Sequence, residues 1–89
     1  MKRKSNAGVD DDIRVVLCRQ VRRLRKEAGL SQDVVAERCG IFRTYLSRIE
    51  NGTANPSVTV IAALATTLGV GVWDLFVEGA HDTVGPSDS

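Results

Sequence analysis

The stretch LSQDVVAERCGIFRTYLSRIENG, Leu30–Gly52, decides the fold of this chain because it joins two short helical patterns through one glycine. Ser31 suits the N-cap of the first helix, and Asp33 lies favourably in its first turn. Gly40 suits the end of that helix, where the backbone turns left-handed. Ala36 leaves room for two helices to cross closely. This combination predicts a helix-turn-helix.

The second helix of this stretch, predicted from Phe42 or Arg43 to Asn51, carries polar side chains along one face. At about 100° per residue, that face contains Arg43, Thr44, Ser47 and Arg48. Arginine is costly to bury, so these side chains meet either water or a partner. A helix of this kind fits the DNA major groove, about 12 Å wide, where arginine donates two hydrogen bonds to guanine O6 and N7. We therefore predict that the four residues read base edges.

Helical patterns flank this stretch on both sides and predict a compact all-α domain of five short helices. Before it, apolar residues recur at spacings of three and four from Ile13 to Ala28 and form one face. After it, the uncharged run at residues 57–69 predicts a fourth helix at the buried centre of the bundle, with Pro56 at its first helical position. A short fifth helix is predicted over about residues 72–77.

Length and composition fit one small domain. The chain has 89 residues, of which 43% are hydrophobic, an ordinary fraction for a globular protein. The patterns divide it into a flexible basic arm at residues 1–9, a folded helix-turn-helix DNA-binding domain at residues 10–79 and a flexible tail at residues 80–89. No ligand-binding domain follows the last helix, so we expect no small-molecule effector.

Charge is distributed unevenly along the chain. All 12 lysines and arginines lie at or before Arg48, which gives residues 1–48 a net charge of +6 and residues 49–89 a net charge of −5. A basic half beside an acidic half indicates one surface that faces a polyanion, although a solvated arginine-rich helix would give the same count.

Neither a catalytic constellation nor a metal site is visible in the sequence. The two cysteines, Cys18 and Cys39, form no CxxC motif, and the one histidine, His81, lies in the predicted tail. No nucleophile–base pair or phosphate-binding loop accompanies them. The sequence therefore predicts no enzyme and no cofactor. The cysteines are interpreted as packed thiols, with redox sensing as the alternative.

The sequence also lacks the marks of a membrane or secreted protein. No apolar run approaches the roughly 18 residues of a membrane span. The basic residues at the start are followed by no apolar segment, so they do not form a secretory signal. We therefore expect a cytoplasmic protein.

Over about residues 15–79 the chain closely resembles the Cro/lambda-repressor-like family of DNA-binding domains, also called the XRE family, and the motifs that carry the resemblance lie between Arg22 and Val70. The markers of this resemblance are Gln32, Ala36, Gly40, Leu46 and Ile49 at the family spacing, then ENG and LGV. The part RTYLSRIENGTANPS looks most like the small controller proteins of restriction–modification systems. The resemblance implies a five-helix fold in a protein of bacterial or phage origin, associated with the nucleoid. One recognition helix covers only a few base pairs, so we expect a homodimer that binds a palindromic operator.

The resemblance also implies roles for particular residues. Gln32 would hold a phosphate or reach a base, and Asn51 with Gly52 and Thr53 would contact phosphate through backbone or side chain. Arg25 would pair with Glu50 and tie the first helix to the end of the third.

Other residues of the first and third helices are further candidates for the DNA interface. The electrostatic attraction would come from the cations of the first helix and the arm, which are Arg19, Arg22, Arg23, Lys2, Arg3 and Lys4. The Tyr45 hydroxyl either reaches a phosphate or water. Phe42 stands where the family often has a small polar residue, and it either packs on a DNA sugar or thymine methyl or seals the turn.

The end of the folded domain offers a surface for assembly. Val72, Leu75 and Phe76 are predicted to face inward. Beside that stripe, Val70, Trp73 and Val77 are predicted to form a homodimer contact, the alternative being that Trp73 only covers the core. The expected partners are double-stranded DNA and a second copy of the chain. The expected function is that of a sequence-specific transcriptional regulator, and an antitoxin-like or other protein-interaction module of the same fold is the alternative.

Overall fold

The computed structural model describes residues 2–78, with side chains from Ile13 onward, and within that part it is all-α. The elements in chain order are α1 (Lys2–Glu27), α2 (Gln32–Cys39), α3 (Arg43–Glu50), α4 (Val58–Leu68) and a single 3₁₀ turn (Val72–Leu75). The predicted all-α class is confirmed. None of the helices in this part of the chain is long and apolar enough to cross a membrane.

The first helix begins earlier than the sequence predicted. α1 starts at Lys2, so its backbone includes the residues that were expected to form a flexible arm. No proline interrupts residues 2–12, and Gly8 costs a helix only about 1 kcal/mol relative to alanine. The flexibility of residues 1–9 stays a prediction. The predicted tail at residues 80–89, with His81, lies outside the described residues.

The core draws side chains from every element. Its buried apolar members are Leu17, Val21 and Leu24 of α1, Val35 and Ala36 of α2, Leu46 and Ile49 of α3, Leu64 and Ala65 of α4, Ala54 of the preceding loop, and Leu75 of the 3₁₀ turn. Within each helix these positions are one, three or four residues apart, so one stripe of each helix faces inward. The apolar face predicted for α1 is not buried at its two ends, where Ile13 and Ala28 are exposed.

Two details of α4 were predicted wrongly. The helix does not lie at the buried centre: only Leu64 and Ala65 are buried, and Val58 is 81% exposed. The helix packs against α2 and the 3₁₀ turn on one side, and its small residues leave the other side open to water. Pro56 precedes the helix instead of starting it, since the Ser57 hydroxyl is the cap and accepts the N–H three residues later at 3.2 Å.

The fifth element is a 3₁₀ turn instead of the predicted helix. Gly71 has no side chain with which to cap a helix, and its N–H donates instead to Asp74 Oδ2 at 3.0 Å. The Phe76 N–H donates to the Trp73 carbonyl three residues back, at 3.0 Å. These short-range bonds close the chain into one tight turn.

The helix-turn-helix is formed by local bonds that the sequence predicted. Ser31 Oγ accepts the Val34 N–H at 3.1 Å and caps α2. Gly40 ends α2 with φ of 73°. This angle lies in the left-handed region, which is costly for any residue with a Cβ. The next residue, Ile41, returns its N–H to the Ala36 carbonyl at 3.0 Å. This turn sets the crossing of α2 and α3.

One buried carboxylate joins α1, α2 and α3. Glu50 is 1% exposed, and its two oxygens accept Arg25 Nε at 2.7 Å and Arg25 Nη2 at 3.0 Å. Gln32 Nε2 donates to the same carboxylate at 3.1 Å. The hydrogen bond with Glu50 raises the pKa of the Arg25 guanidinium despite the opposing effect of burial, so Arg25 stays charged. The pair implied by the resemblance is therefore in contact.

Glu50→Gln is expected to lower the free energy of unfolding by about 3 kcal/mol, because Arg25 keeps a charge that has lost its buried counterion. Glu27→Gln is the matched control, since Glu27 pairs with Arg23 at 2.7 Å on the exposed surface. That change is expected to cost less than about 1 kcal/mol. Urea unfolding followed by far-ultraviolet circular dichroism measures both. If both variants lose the same free energy of unfolding, the burial of Glu50 does not strengthen its pair with Arg25.

Candidate nucleic-acid interface

The polar face of α3 points away from the core. Arg43, Thr44 and Arg48 are exposed and Ser47 is half-buried, whereas Leu46 and Ile49 on the opposite face are buried. An eight-residue helix is marginal alone, so these apolar anchors fix its position in the domain. The structure thus brings the four predicted base readers together on one outward surface.

Arg43 is held by the first turn of α2. Its Nε lies 3.2 Å from Asp33 Oδ1, and its Nη1 donates to Gln32 Oε1 at 3.4 Å. Gln32 is itself bonded to the buried Glu50. Sequence reasoning placed Asp33 at a helix start and missed this contact. The sequence feature that could have predicted this contact is an acid in the first turn of α2 together with a cation at the first residue of α3.

Arg48 lies along the loop that follows α3. Its Nη2 donates to the Thr53 carbonyl at 3.4 Å, and Thr53 in return donates its hydroxyl to the Arg48 carbonyl at 3.2 Å. The long bond from the exposed guanidinium is weak and leaves that group able to reach a ligand. Arg48 and Thr53 therefore form one continuous polar edge beside the outer face of α3.

The backbone of the loop after α3 is not available to a phosphate. The N–H groups of Asn51, Gly52 and Thr53 donate to carbonyls within α3 at 3.0, 3.1 and 2.9 Å. These donors already close the helix end, so the predicted phosphate contact would rest on the side chains of this loop. The side chains of Asn51 and Thr53 remain exposed.

Arg22 connects α1 to this loop. Its Nη2 donates to the Glu50 carbonyl at 3.0 Å and to Asn51 Oδ1 at 3.4 Å, and its side chain is still 47% exposed. The Cys18 thiol one turn earlier donates to the same Glu50 carbonyl. Tyr45, the remaining predicted phosphate contact, is half-buried with its ring packed against the core.

Arg19 and Arg23 of α1 contribute less positive field than two isolated cations would, because each lies beside a carboxylate. Arg19 Nη1 lies 2.9 Å from Glu78 Oε2, and Arg23 Nη1 lies 2.7 Å from Glu27 Oε2. The hydrogen bond to Glu78 raises the pKa of Arg19. Glu27 is already counted in the net charge of +6 on residues 1–48, but Glu78 is not. The pair with Glu78 therefore makes the charge that this half directs at a polyanion smaller than +6.

The residues predicted for the dimer contact differ in exposure. Trp73 is 73% exposed, whereas Val70 and Val77 are half-buried, and Val70 also packs on the core. Val72 was predicted to face inward but is 46% exposed. A 3₁₀ turn has three residues per turn instead of 3.6, so side-chain directions shift and Leu75 takes the buried position.

Several polar and aromatic placements were not anticipated. Gln20 is 3% exposed and donates from Nε2 to the Asp74 carbonyl at 3.0 Å, which fastens α1 to the 3₁₀ turn. Phe42 is 82% exposed, so it does not seal the turn before α3. The two cysteines are half-buried and unpaired, with Cys39 Sγ 3.4 Å from Thr67 Oγ1.

Comparison with known proteins also indicates a helix-turn-helix domain. Residues 16–74 match the family described as Helix-turn-helix domain. The control protein C.BamHI of Bacillus amyloliquefaciens is 38% identical over 66 residues, which cover 73% of this chain and 82% of that protein. The HTH-type transcriptional regulator DdrOP3 of Deinococcus deserti is 42% identical over 65 residues, which cover 73% of this chain but 50% of that protein.

A solved structure shares both the fold and the sequence. The restriction–modification controller protein C.AhdI from Aeromonas hydrophila superposes with a TM-score of 0.69 and 36% identity, covering 71% of this chain and 96% of that one. The family resemblance drawn from the sequence, including the likeness to controller proteins, is confirmed. The chain therefore belongs to the helix-turn-helix transcriptional regulators of the XRE, or Cro/lambda-repressor-like, type, a non-enzymatic family of DNA-binding proteins.

Proposed function

We propose that this chain binds a palindromic double-stranded DNA operator as a homodimer, with α3 of each protomer in the major groove, and thereby regulates transcription in the bacterial cytoplasm, where the nucleoid lies. The observation that carries the proposal is the division of α3 into two faces. Leu46 and Ile49 anchor one face in the core, and Arg43, Thr44 and Arg48 stand exposed on the other.

The outer face of α3 supplies chemistry that distinguishes base pairs. The fork of Arg43 or Arg48 matches the two acceptors of guanine, and Thr44 offers a methyl to thymine or a hydroxyl to a base edge. Ser47, half-buried one turn after Arg43, is a short hydroxyl at the same surface. Phe42 begins this face and is exposed, which supports an apolar contact with a sugar or thymine methyl.

Phosphate contacts would border this face and set the register of the helix on the duplex. The candidates are Gln32, Tyr45, Asn51, Thr53 and Arg22. Arg22 brings an exposed guanidinium to the start of the α3–α4 loop through its bond to Asn51. The Gln32 amide nitrogen carries two hydrogens, and one of them is left for a phosphate after its bond to Glu50. Its oxygen already accepts from Arg43.

A dimer accounts for the exposed apolar end of the domain. One α3 covers only a few base pairs, and two copies related by a two-fold axis would read half-sites about 10 base pairs apart. Trp73 gives that end a large exposed ring, with Val70 and Val77 half-buried in the same segment. Burial of this ring against its symmetry mate would remove apolar surface from water.

Arg43→Ala and Arg48→Ala are each expected to relax the choice of base at particular operator positions, by about 1–3 kcal/mol, because each removes a two-donor contact. Selection of binding sites from random duplex DNA by the wild type and each variant measures this. Arg38→Ala removes an exposed arginine from α2 and is the control. If all three variants select the same sites as the wild type, α3 does not read DNA.

Arg22→Gln is expected to flatten the dependence of affinity on salt. Each phosphate contact changes the slope of log K against log [salt] by about −0.9, so losing one contact per protomer changes a dimer's slope by about 2. Arg23→Gln is the control from the same helix, because Glu27 already pairs with that cation. Titrations at several salt concentrations give the slopes. An unchanged slope in Arg22→Gln contradicts the phosphate contact.

Trp73→Ala is expected to convert the dimer to a monomer, because the exposed indole would supply the largest apolar area of the contact. Sedimentation equilibrium measures the mass of the folded variant. Phe42→Ala removes the other strongly exposed aromatic ring, which lies at the start of α3, and should leave the dimer intact. A folded Trp73→Ala protein that dimerises as tightly as the wild type would contradict this interface.

A further inference from the structure

We propose that Asp33 is a specificity-determining residue, which positions the Arg43 guanidinium so that its terminal nitrogens read a guanine. This inference rests on the proposed function, in which α3 enters the major groove. Asp33 itself touches no base in this proposal. It acts through Arg43, and its effect is confined to the base pair that Arg43 contacts.

The contacts of Arg43 leave one end of its fork available. Asp33 Oδ1 lies 3.2 Å from Nε, and Gln32 Oε1 accepts from Nη1 at 3.4 Å. A guanidinium has five N–H groups. With one Nη1–H donated to Gln32 and the Asp33 carboxylate paired beside Nε, one hydrogen on Nη1 and two on Nη2 remain for a ligand. Two parallel donors at that end match the O6 and N7 acceptors of guanine.

The fold holds one partner of Arg43 through a hydrogen bond and places the other at the start of a helix. The Glu50 carboxylate can only accept, so it takes the nitrogen of the Gln32 amide and turns the amide oxygen toward Arg43. Asp33 is the next residue, in the first turn of α2, where the helix favours a carboxylate. An acceptor on each side of the guanidinium therefore limits its rotation.

The pair becomes important when DNA displaces water. In the unbound protein the side chains of Arg43 and Asp33 are 54% and 78% exposed, and an ion pair in such a setting contributes little to stability. In a groove from which water is excluded, the attraction between the two charges strengthens. The carboxylate then favours the orientation in which the remaining donors face the base.

Asp33 is expected to have two effects on DNA binding, one on overall affinity and one on base selectivity. Its removal should change them in opposite directions, so they can be measured separately. A carboxylate near DNA repels phosphates, so removal of any acid from α2 should raise affinity for every sequence. A positioning role predicts in addition that removal of Asp33 lowers selectivity at one base pair. Overall affinity reports the first effect, and the ratio of affinities for two bases reports the second.

The experiment compares Asp33→Asn with Glu37→Gln, a matched loss of one exposed acid from the same helix. Site selection with Arg43→Ala first identifies the base pair that Arg43 reads. Affinities are then measured for the selected operator and for operators carrying each other base at that position. We expect Asp33→Asn to reduce the preference for guanine there by about tenfold, to leave other positions unchanged, and to add nothing in an Arg43→Ala background. Glu37→Gln should keep the full preference.

Three results would overturn the proposal, and they differ. If Asp33→Asn retains the wild-type preference for guanine and only raises affinity as Glu37→Gln does, Asp33 acts as a charge alone, and the proposed function stands. If Arg43→Ala relaxes no position while Arg48→Ala does, Arg43 reads no base, and this inference fails while the proposed function stands. If the folded wild type selects no sequence, the proposed function fails together with this inference. Circular dichroism of each variant confirms that it is folded before binding is measured.

Discussion

The buried carboxylate of Glu50 is the interaction on which the rest of the structure depends. It lies at the end of α3, accepts both donors of Arg25 from α1, and accepts the Gln32 amide from α2. Its backbone carbonyl also receives Arg22. A buried charge is tolerated only when it is paired and fully hydrogen-bonded. The three helices must therefore keep the arrangement that surrounds this group, and no short helix could supply that order by itself.

The same group connects the core to the outer face of α3. Glu50 orients Gln32, and Gln32 together with Asp33 restrains Arg43. A long exposed arginine normally loses rotamer entropy when it binds a ligand. Restraint before binding reduces that loss, which is the general benefit of preorganisation. The side chains that would read bases are thus partly ordered by an interaction inside the protein.

Sequence alone predicted the parts of the fold that local chemistry controls. The caps at Ser31 and Gly40 and the apolar spacing of α2 and α3 each depend on a few neighbouring residues, and the outward face of α3 followed from them. Predictions failed where a choice depends on distant packing. Whether the uncharged α4 is central depends on which neighbours cover it. The contacts of Gln20 and Asp33 join residues that the sequence separates by 54 and 10 positions.

Charge shows most clearly why composition is a poor guide to binding strength. The net charge of +6 on residues 1–48 suggests a strongly cationic surface, yet Arg19 and Arg25 each have a carboxylate from residues 49–89 beside them. Paired cations release fewer counterions when a polyanion binds, so they add less non-specific affinity. A protein with modest non-specific affinity for DNA depends more on base contacts and on two-fold symmetry to bind its site. A small regulator benefits from that balance, because weak binding to the many wrong sites leaves more protein for the right one.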